Sequence, residues 1–223
     1  MYTVPKSHIL ELKPKLEQAP MNRIQTGAIF RLLFCIALTI FVSNSKAVGS
    51  KLQDFEYSII SAVIKHGLGD DNRNIIIDES TTGESINVVD PERTPEEFAE
   101  ELGTTSAALR EWSLINRDRY RLEQQLSLGG PYHLLSNNER LKIFNHSDPD
   151  INWQQFRSHF PNAHGIIRVS RPSTDATVNS ALLYLEFECG AKCGSGRLIN
   201  LIQTIPNQWQ VTSGSLLWIT AAE

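Results

Sequence analysis

The chain has 223 residues, 41% apolar and 21% charged, which is ample for a buried core and excludes both a disordered chain and a polytopic membrane protein. Its 21 basic and 25 acidic residues leave a net charge of −4, so there is no strongly basic nucleic-acid footprint. Three cysteines are too few for a disulfide scaffold or an all-thiolate zinc site.

The N-terminal part reads as an export signal. Leu32 to Val42 is an uncharged apolar run of 11 residues, where a helix needs about 20 to cross a bilayer. Arg23 and Arg31 precede it, and Ser45-Lys46-Ala47 follows with small residues at both positions a signal peptidase reads. Residues 1–20 are polar and stand ahead of Met21, so they are expected to be a mis-assigned extension, with the signal peptide spanning 21–47. The competing arrangement is an uncleaved N-terminal anchor, the one membrane contact this reading allows. Cys35 lies within the apolar run with no small residues just before it, unlike a lipoprotein cysteine. Cleavage after Ala47 removes six basic and two acidic residues, leaving 15 and 23 and a net charge of −8 on a single domain, 48–223. Such a surface repels nucleic acid and anionic lipid.

Within that domain, Leu52, Phe55, Ile59, Ile60, Val63 and Ile64 recur at the spacing of an amphipathic helix, closed by His66-Gly67. Asn74 to Asp78 is a short β-branched run and predicts a strand, and the polar stretch Glu79 to Arg93 a loop. Thr94-Pro95-Glu96-Glu97 has the form of a capped helix start; that helix stops at Gly103 and a second runs from Ser106 to Asn116. After Gly129-Gly130-Pro131, an extended piece at Tyr132 to Leu135 leads to a helix starting at Asn138. Trp153, Phe156 and Phe160 mark one face of a further helix, closed by Pro161. From Gly165 onward the pattern turns to strands: Ile166 to Ser170, Ala181 to Cys189, Gly196 to Ile205, Trp209 to Thr212 and Leu216 to Thr220, with turn residues between them. Helices first and strands last, without βαβ alternation, predicts an α+β fold with the helices packed on a C-terminal antiparallel meander. Trp209 and Val211 alternate with Gln208 and Gln210, so Trp209 is expected to be buried.

Several groupings could carry chemistry. Phe98 to Thr105, followed by Leu109 and Trp112, has helix-turn-helix spacing. A recognition helix must reach phosphates and base edges, yet Ser106 to Asn116 offers only Arg110, offset by Glu111, after a helix carrying Glu96, Glu97, Glu100 and Glu101. Two packed amphipathic helices account for the pattern, and no nucleic-acid partner is expected. Cys189 and Cys193 flank a glycine-rich connection between two strands. In an oxidising compartment they are expected to form a structural disulfide, worth about 2 kcal/mol in the chain-entropy model for so short a loop. Two sharper readings remain beside it. A redox-active pair has only Lys192 as a nearby cation, and a copper(I) site would take a third ligand from His133, His159 or His164. His159 and His164 straddle a helix end and share no face. Glu186 and Glu188 alternate on one strand face and read as solvated carboxylates. No nucleophile elbow, Walker loop or zinc-protease motif occurs, so no catalytic or cofactor-binding residue and no metal ligand is assigned.

Taken together, Tyr57-Ser58-Ile59-Ile60, Ile75-Ile76-Ile77-Asp78 with Ser80-Thr81-Thr82, Trp153 and Phe156 with Phe160-Pro161, Gly165-Ile166-Ile167, Ser170-Arg171 and the stretch from Ala181 through the cysteine loop to Trp209-Gln210-Val211 resemble a family of uncharacterised bacterial exported proteins with a C-terminal CGxxCGxG hairpin. The chain departs from that family at Ala191, Lys192 and Pro172-Ser173. The resemblance implies export and no particular activity. The expected function is a non-catalytic binding or interaction module of the cell envelope, periplasmic or secreted, with a ligand or envelope partner the sequence does not identify. The alternative is a thiol redox or copper(I)-handling protein built on Cys189 and Cys193.

Overall fold

The structure, a computed structural model, describes residues 51–68, 74–83 and 94–220. The expected extension, the signal segment with Cys35 and the cleavage point after Ala47 lie outside the described residues, as do 84–93 of the expected loop. The described residues belong to one compact unit, Ala47–Glu223.

The chain is α+β, with five helices and a mixed sheet among the described residues. In order they are α1 (Asp54–Leu68), β1 (Ile75–Asp78), α2 (Pro95–Leu102), α3 (Ser106–Ile115), β2 (Tyr132–Leu135), α4 (Asn137–Ile143), α5 (Pro149–His159), β3 (Ile166–Val169), β4 (Ser173–Asp175), β5 (Ser180–Gly190), β6 (Cys193–Ile205) and β7 (Gln208–Thr220). Local sequence accounts for the helix ends. Thr94 and Glu97 form a capping box at α2, Ser136 and Glu139 a second one at α4, and Asp148 caps α5 ahead of Pro149. Gly103 ends α2 in the left-handed region, at φ 65°, where a side chain would be strained.

The sheet runs β2-β1-β3-β5-β6-β7, with β4 paired to β5 beside β3. The β5-β6-β7 part is the expected antiparallel meander. The other end differs: β1 pairs in parallel with both β2 and β3, so the chain crosses over twice through helices. Each of those strands has four residues, too few for a crossover pattern to be visible in the sequence. The expected turn at Ser213-Gly214-Ser215 is also absent. The strand runs on from Gln208 to Thr220, and a register shift opposite Asn200 and Leu201 absorbs an extra residue.

Alternation along β5 separates two cores on opposite sheet faces. Ala181, Leu183, Leu185 and Phe187 share one face with Ile167, Ile199 and Leu201, covered by Ile59, Ile60, Val63 and Ile64 of α1. Full burial of each such side chain contributes roughly 1.5–3 kcal/mol. On the other face, Leu182, Tyr184 and Leu198 lie under Phe98, Leu102, Leu109 and Trp112 of α2 and α3. Further along that second face, Ile76, Leu135 and Ile166 lie under Ile143, Trp153 and Phe156 of α4 and α5. Trp209 packs with Val211 toward the α1 side but is only half-buried, because β7 is the edge strand and has no neighbour to close over it.

Polar contacts tie these layers together. The Trp112 indole N–H and the Tyr184 backbone N–H both donate to Ser170 Oγ, at 3.0 and 2.9 Å. Asn116 bonds both backbone groups of Arg171, whose Nε lies 2.6 Å from Glu56 of α1 and whose guanidinium sits 4.5 Å from the Tyr120 ring centre. At the meander, Trp218 Nε1 donates to the Tyr184 hydroxyl at 2.7 Å directly over Gly196. A Cβ at position 196 would collide with both groups. Gly196→Ala is therefore expected to lose roughly 1–3 kcal/mol of stability through overpacking. Gly214→Ala, where a Cβ finds ordinary contact distances, should stay within about 0.5 kcal/mol of wild type. Urea unfolding of the two variants, both in the meander, reads the comparison.

Candidate functional site

Two features among the described residues have the makings of a site: a charged cluster on the second sheet face and an apolar pocket on the first.

The cluster corrects the reading of Glu186 and Glu188 as solvated carboxylates. Glu186 is 6% exposed. Register explains this: Glu186 stands opposite Arg168 of β3, and the face they share lies between the α2–α3 and α4–α5 helix pairs. Arg168 Nη1 lies 3.0 Å from Glu186 and 3.7 Å from Glu188, and its Nε 3.8 Å from Asp78 at the end of β1. Arg140 of α4 reaches in from above, 3.1 Å from Asp78 and 3.3 Å from Glu188. The Tyr184 hydroxyl lies 3.4 Å from Glu186. Three carboxylates thus meet two guanidinium groups.

Burial pushes the Glu186 carboxyl above the ordinary glutamate value of 4.5; Arg168 opposes the shift and Glu188 adds to it. Arg168 is desolvated too, but the surrounding carboxylates outweigh that and hold its proton more tightly than usual. Each carboxylate already faces at least one guanidinium, so the cluster leaves no free base aimed at solvent. Its chemistry is that of an internal ion network joining β1, β3, β5 and α4.

The pocket lies between the C-terminal end of α1 and the sheet and encloses about 360 Å³. Val63 and Ile64 form its roof, and Ile167, Leu185, Phe187 and Ile199 its floor. Polar groups at its margin are His66, Asn74, His164, Ser195 and Arg197; no aspartate or glutamate lines it among the described residues. Gly67 lies on the α1 side, and a Cβ there would meet Leu185 of the floor in ordinary van der Waals contact, at 3.7 Å.

Cys189 and Cys193 stand at disulfide distance, with Cα atoms 5.0 Å apart, across the turn between β5 and β6. The three histidines weighed as a third copper ligand are scattered. His133 pairs with Glu139 at 3.1 Å and tilts against Phe160, His159 meets the edge of the same ring, and His164 lines the pocket. Among the described residues no three His, Cys, Asp or Glu side chains form a group that could hold a metal ion. Arg110, the lone cation of the helix-turn-helix candidate, bonds back to Ser106 of its own helix, while Leu109 and Trp112 pack onto the sheet.

Neither the cluster nor the pocket is evident in the sequence. Asp78 ending an apolar strand was one available signal, and Arg168 within Ile166 to Val169 another, but only strand register brings them to Glu186. The pocket has no local signal, since its walls come from α1, β1, β3, β5 and β6. In comparisons with protein-family models, curated proteins and solved structures, the chain matches none.

The raised Glu186 carboxyl makes a pH prediction. A proton held more tightly in the folded than in the unfolded chain stabilises the fold below the unfolded value, and that contribution fades as pH rises through the raised value. Glu186→Gln lacks the titration. Its stability relative to wild type is expected to improve as pH rises above the ordinary glutamate value of 4.5 and to level off once the folded carboxyl has ionised, measured by urea unfolding from about pH 4 to 8. A difference that stays constant with pH would show that burial does not perturb the group.

Proposed function

We propose that this chain is a non-catalytic binding module of the cell envelope, exported through its N-terminal segment, and that its ligand occupies the pocket under the end of α1. The observation that carries the reading is the pocket. A space of about 360 Å³ falls within the range of small-molecule sites, roughly 300–1,000 Å³, and combines an apolar floor and roof with a few polar groups at one margin. The ion network on the opposite face favours binding over catalysis, because its carboxylates are held by Arg140 and Arg168 rather than presented to a substrate. Export rests on the signal-like segment 21–47 and on the resemblance to exported bacterial proteins; the cysteine pair at disulfide distance suits an oxidising compartment.

Intact-mass measurement of the exported product, without reductant, tests the compartment. The expected mass is that of Val48 to Glu223 less two hydrogens. An uncleaved chain recovered with membranes would point to the anchor, and two free thiols would move the assignment to redox or copper(I) chemistry.

The pocket is tested with N-phenyl-1-naphthylamine, a neutral apolar fluorophore. The mature protein is expected to take it up at one site with enhanced emission. Gly67→Leu, which extends a side chain toward Leu185 without a strained backbone, should abolish uptake while leaving the circular dichroism unchanged. Equal uptake by the variant would place the dye elsewhere.

A further inference from the structure

Resting on that reading of the pocket, we infer that its ligand is a carboxylic acid with an aliphatic tail, a medium-chain carboxylate whose head group is bound by Arg197 and Ser195. Both residues are on β6, two positions apart, and therefore on the same sheet face as the pocket floor. Arg197 stands opposite Leu185 of β5 and Leu216 of β7. Its aliphatic stem thus has apolar neighbours on both sides, while its guanidinium is available at the pocket margin. Arg140, Arg168 and Arg171 each have a carboxylate within 3.3 Å. Arg197 has none among the described residues, and the Ser195 hydroxyl has no described hydrogen-bond partner.

The charge pattern selects an acid. Among the described residues, the pocket lining contains no aspartate or glutamate but includes Arg197, His66 and His164. A cationic ligand finds no carboxylate among the described lining residues. A neutral one would take only a weaker hydrogen bond from the guanidinium, whose planar fork matches a carboxylate with two parallel charge-assisted hydrogen bonds. The partial negative charge at the C-terminal end of α1 does not oppose the acid unaided, because Lys65 and His66 occupy its last turn.

The tail is set by the walls. Val63, Ile64, Ile167, Leu185, Phe187 and Ile199 offer apolar contact and no hydrogen-bonding side chain. The space of about 360 Å³ lies at the lower end of the range of small-molecule sites, roughly 300–1,000 Å³, which suits a medium-chain acid such as decanoate, with the carboxylate at β6 and the chain running beneath α1.

The experiment compares decanoate with decanol by calorimetric titration of the mature protein, in wild type and in Arg197→Gln. Wild type is expected to bind decanoate about tenfold more tightly than decanol. Arg197→Gln should remove that preference while leaving decanol affinity unchanged, a split that general unfolding of the pocket could not produce. Ser195→Ala is expected to weaken decanoate by a few-fold and to spare decanol. Equal binding of the acid and the alcohol by wild type would overturn the acid assignment and leave the pocket standing. Binding of neither, together with failure of the neutral dye, would overturn the pocket itself.

Discussion

Arg168 and Glu186 face each other across β3 and β5, 3.0 Å apart, in the middle of a sheet face covered by one helix pair on either side. Much of the remaining architecture is arranged around them. An unpaired carboxylate with 6% exposure would be costly by several kcal/mol, so Glu186 requires a cation at that register. With Glu188 beside it, the negative charge is shared by a second guanidinium, Arg140, which anchors α4 over β1. A replacement of the whole network by apolar groups could be equally stable, since buried ion pairs gain little over hydrophobic packing. What such a network does is discriminate between registers. Slipping β5 by one residue would send Glu186 and Glu188 to the face of Ile59, Ile60 and Val63 and leave Arg168 opposite leucine and phenylalanine.

The two faces of the sheet consequently have different characters. The second face carries its polarity inside, between helices, and sets each carboxylate of its cluster against a guanidinium. The first is apolar under the middle of α1, with polar groups toward the helix's two ends, Glu56 and Arg171 at its start and His66, Ser195 and Arg197 at its close. The last turn of α1 leaves a space over Leu185, Phe187 and Ser195, and that space is the pocket. The same helix that completes the larger core therefore also defines the site, by the point at which it terminates.

Ser170 and Arg171 show how the layers are held in that relation. Ser170 Oγ accepts from Trp112 of α3 and from the backbone of β5, while Arg171 reaches Glu56 of α1 and stacks on Tyr120. Two adjacent residues at the end of β3 thus contact helices on opposite faces of the sheet. Displacing either face from the other would break hydrogen bonds to buried groups, Trp112 and Glu56 among them. This is the physical content of a dipeptide that in the sequence is merely one element of a resemblance.

Patterns that are local to the chain were legible before any fold was known. The capped start at Thr94, the stop at Gly103, the amphipathic run of α1 and the period-two strand of β5 depend on neighbours within a few residues, and each is found where its chemistry places it. The parallel strands were not legible, because four residues such as Ile75 to Asp78 have no pattern that distinguishes a crossover from a hairpin. Glu186 looked solvated for a similar reason: alternation says which residues share a face, not what covers it. Only the meeting of Arg168, Arg140 and Asp78 from separate elements turned that face into an interior, and only the end of α1 against five-element walls made a pocket. The sequence alone determined the helices, strands and turns whose free energy is short-range. Register, partner and enclosure are long-range, and the tertiary structure decided them.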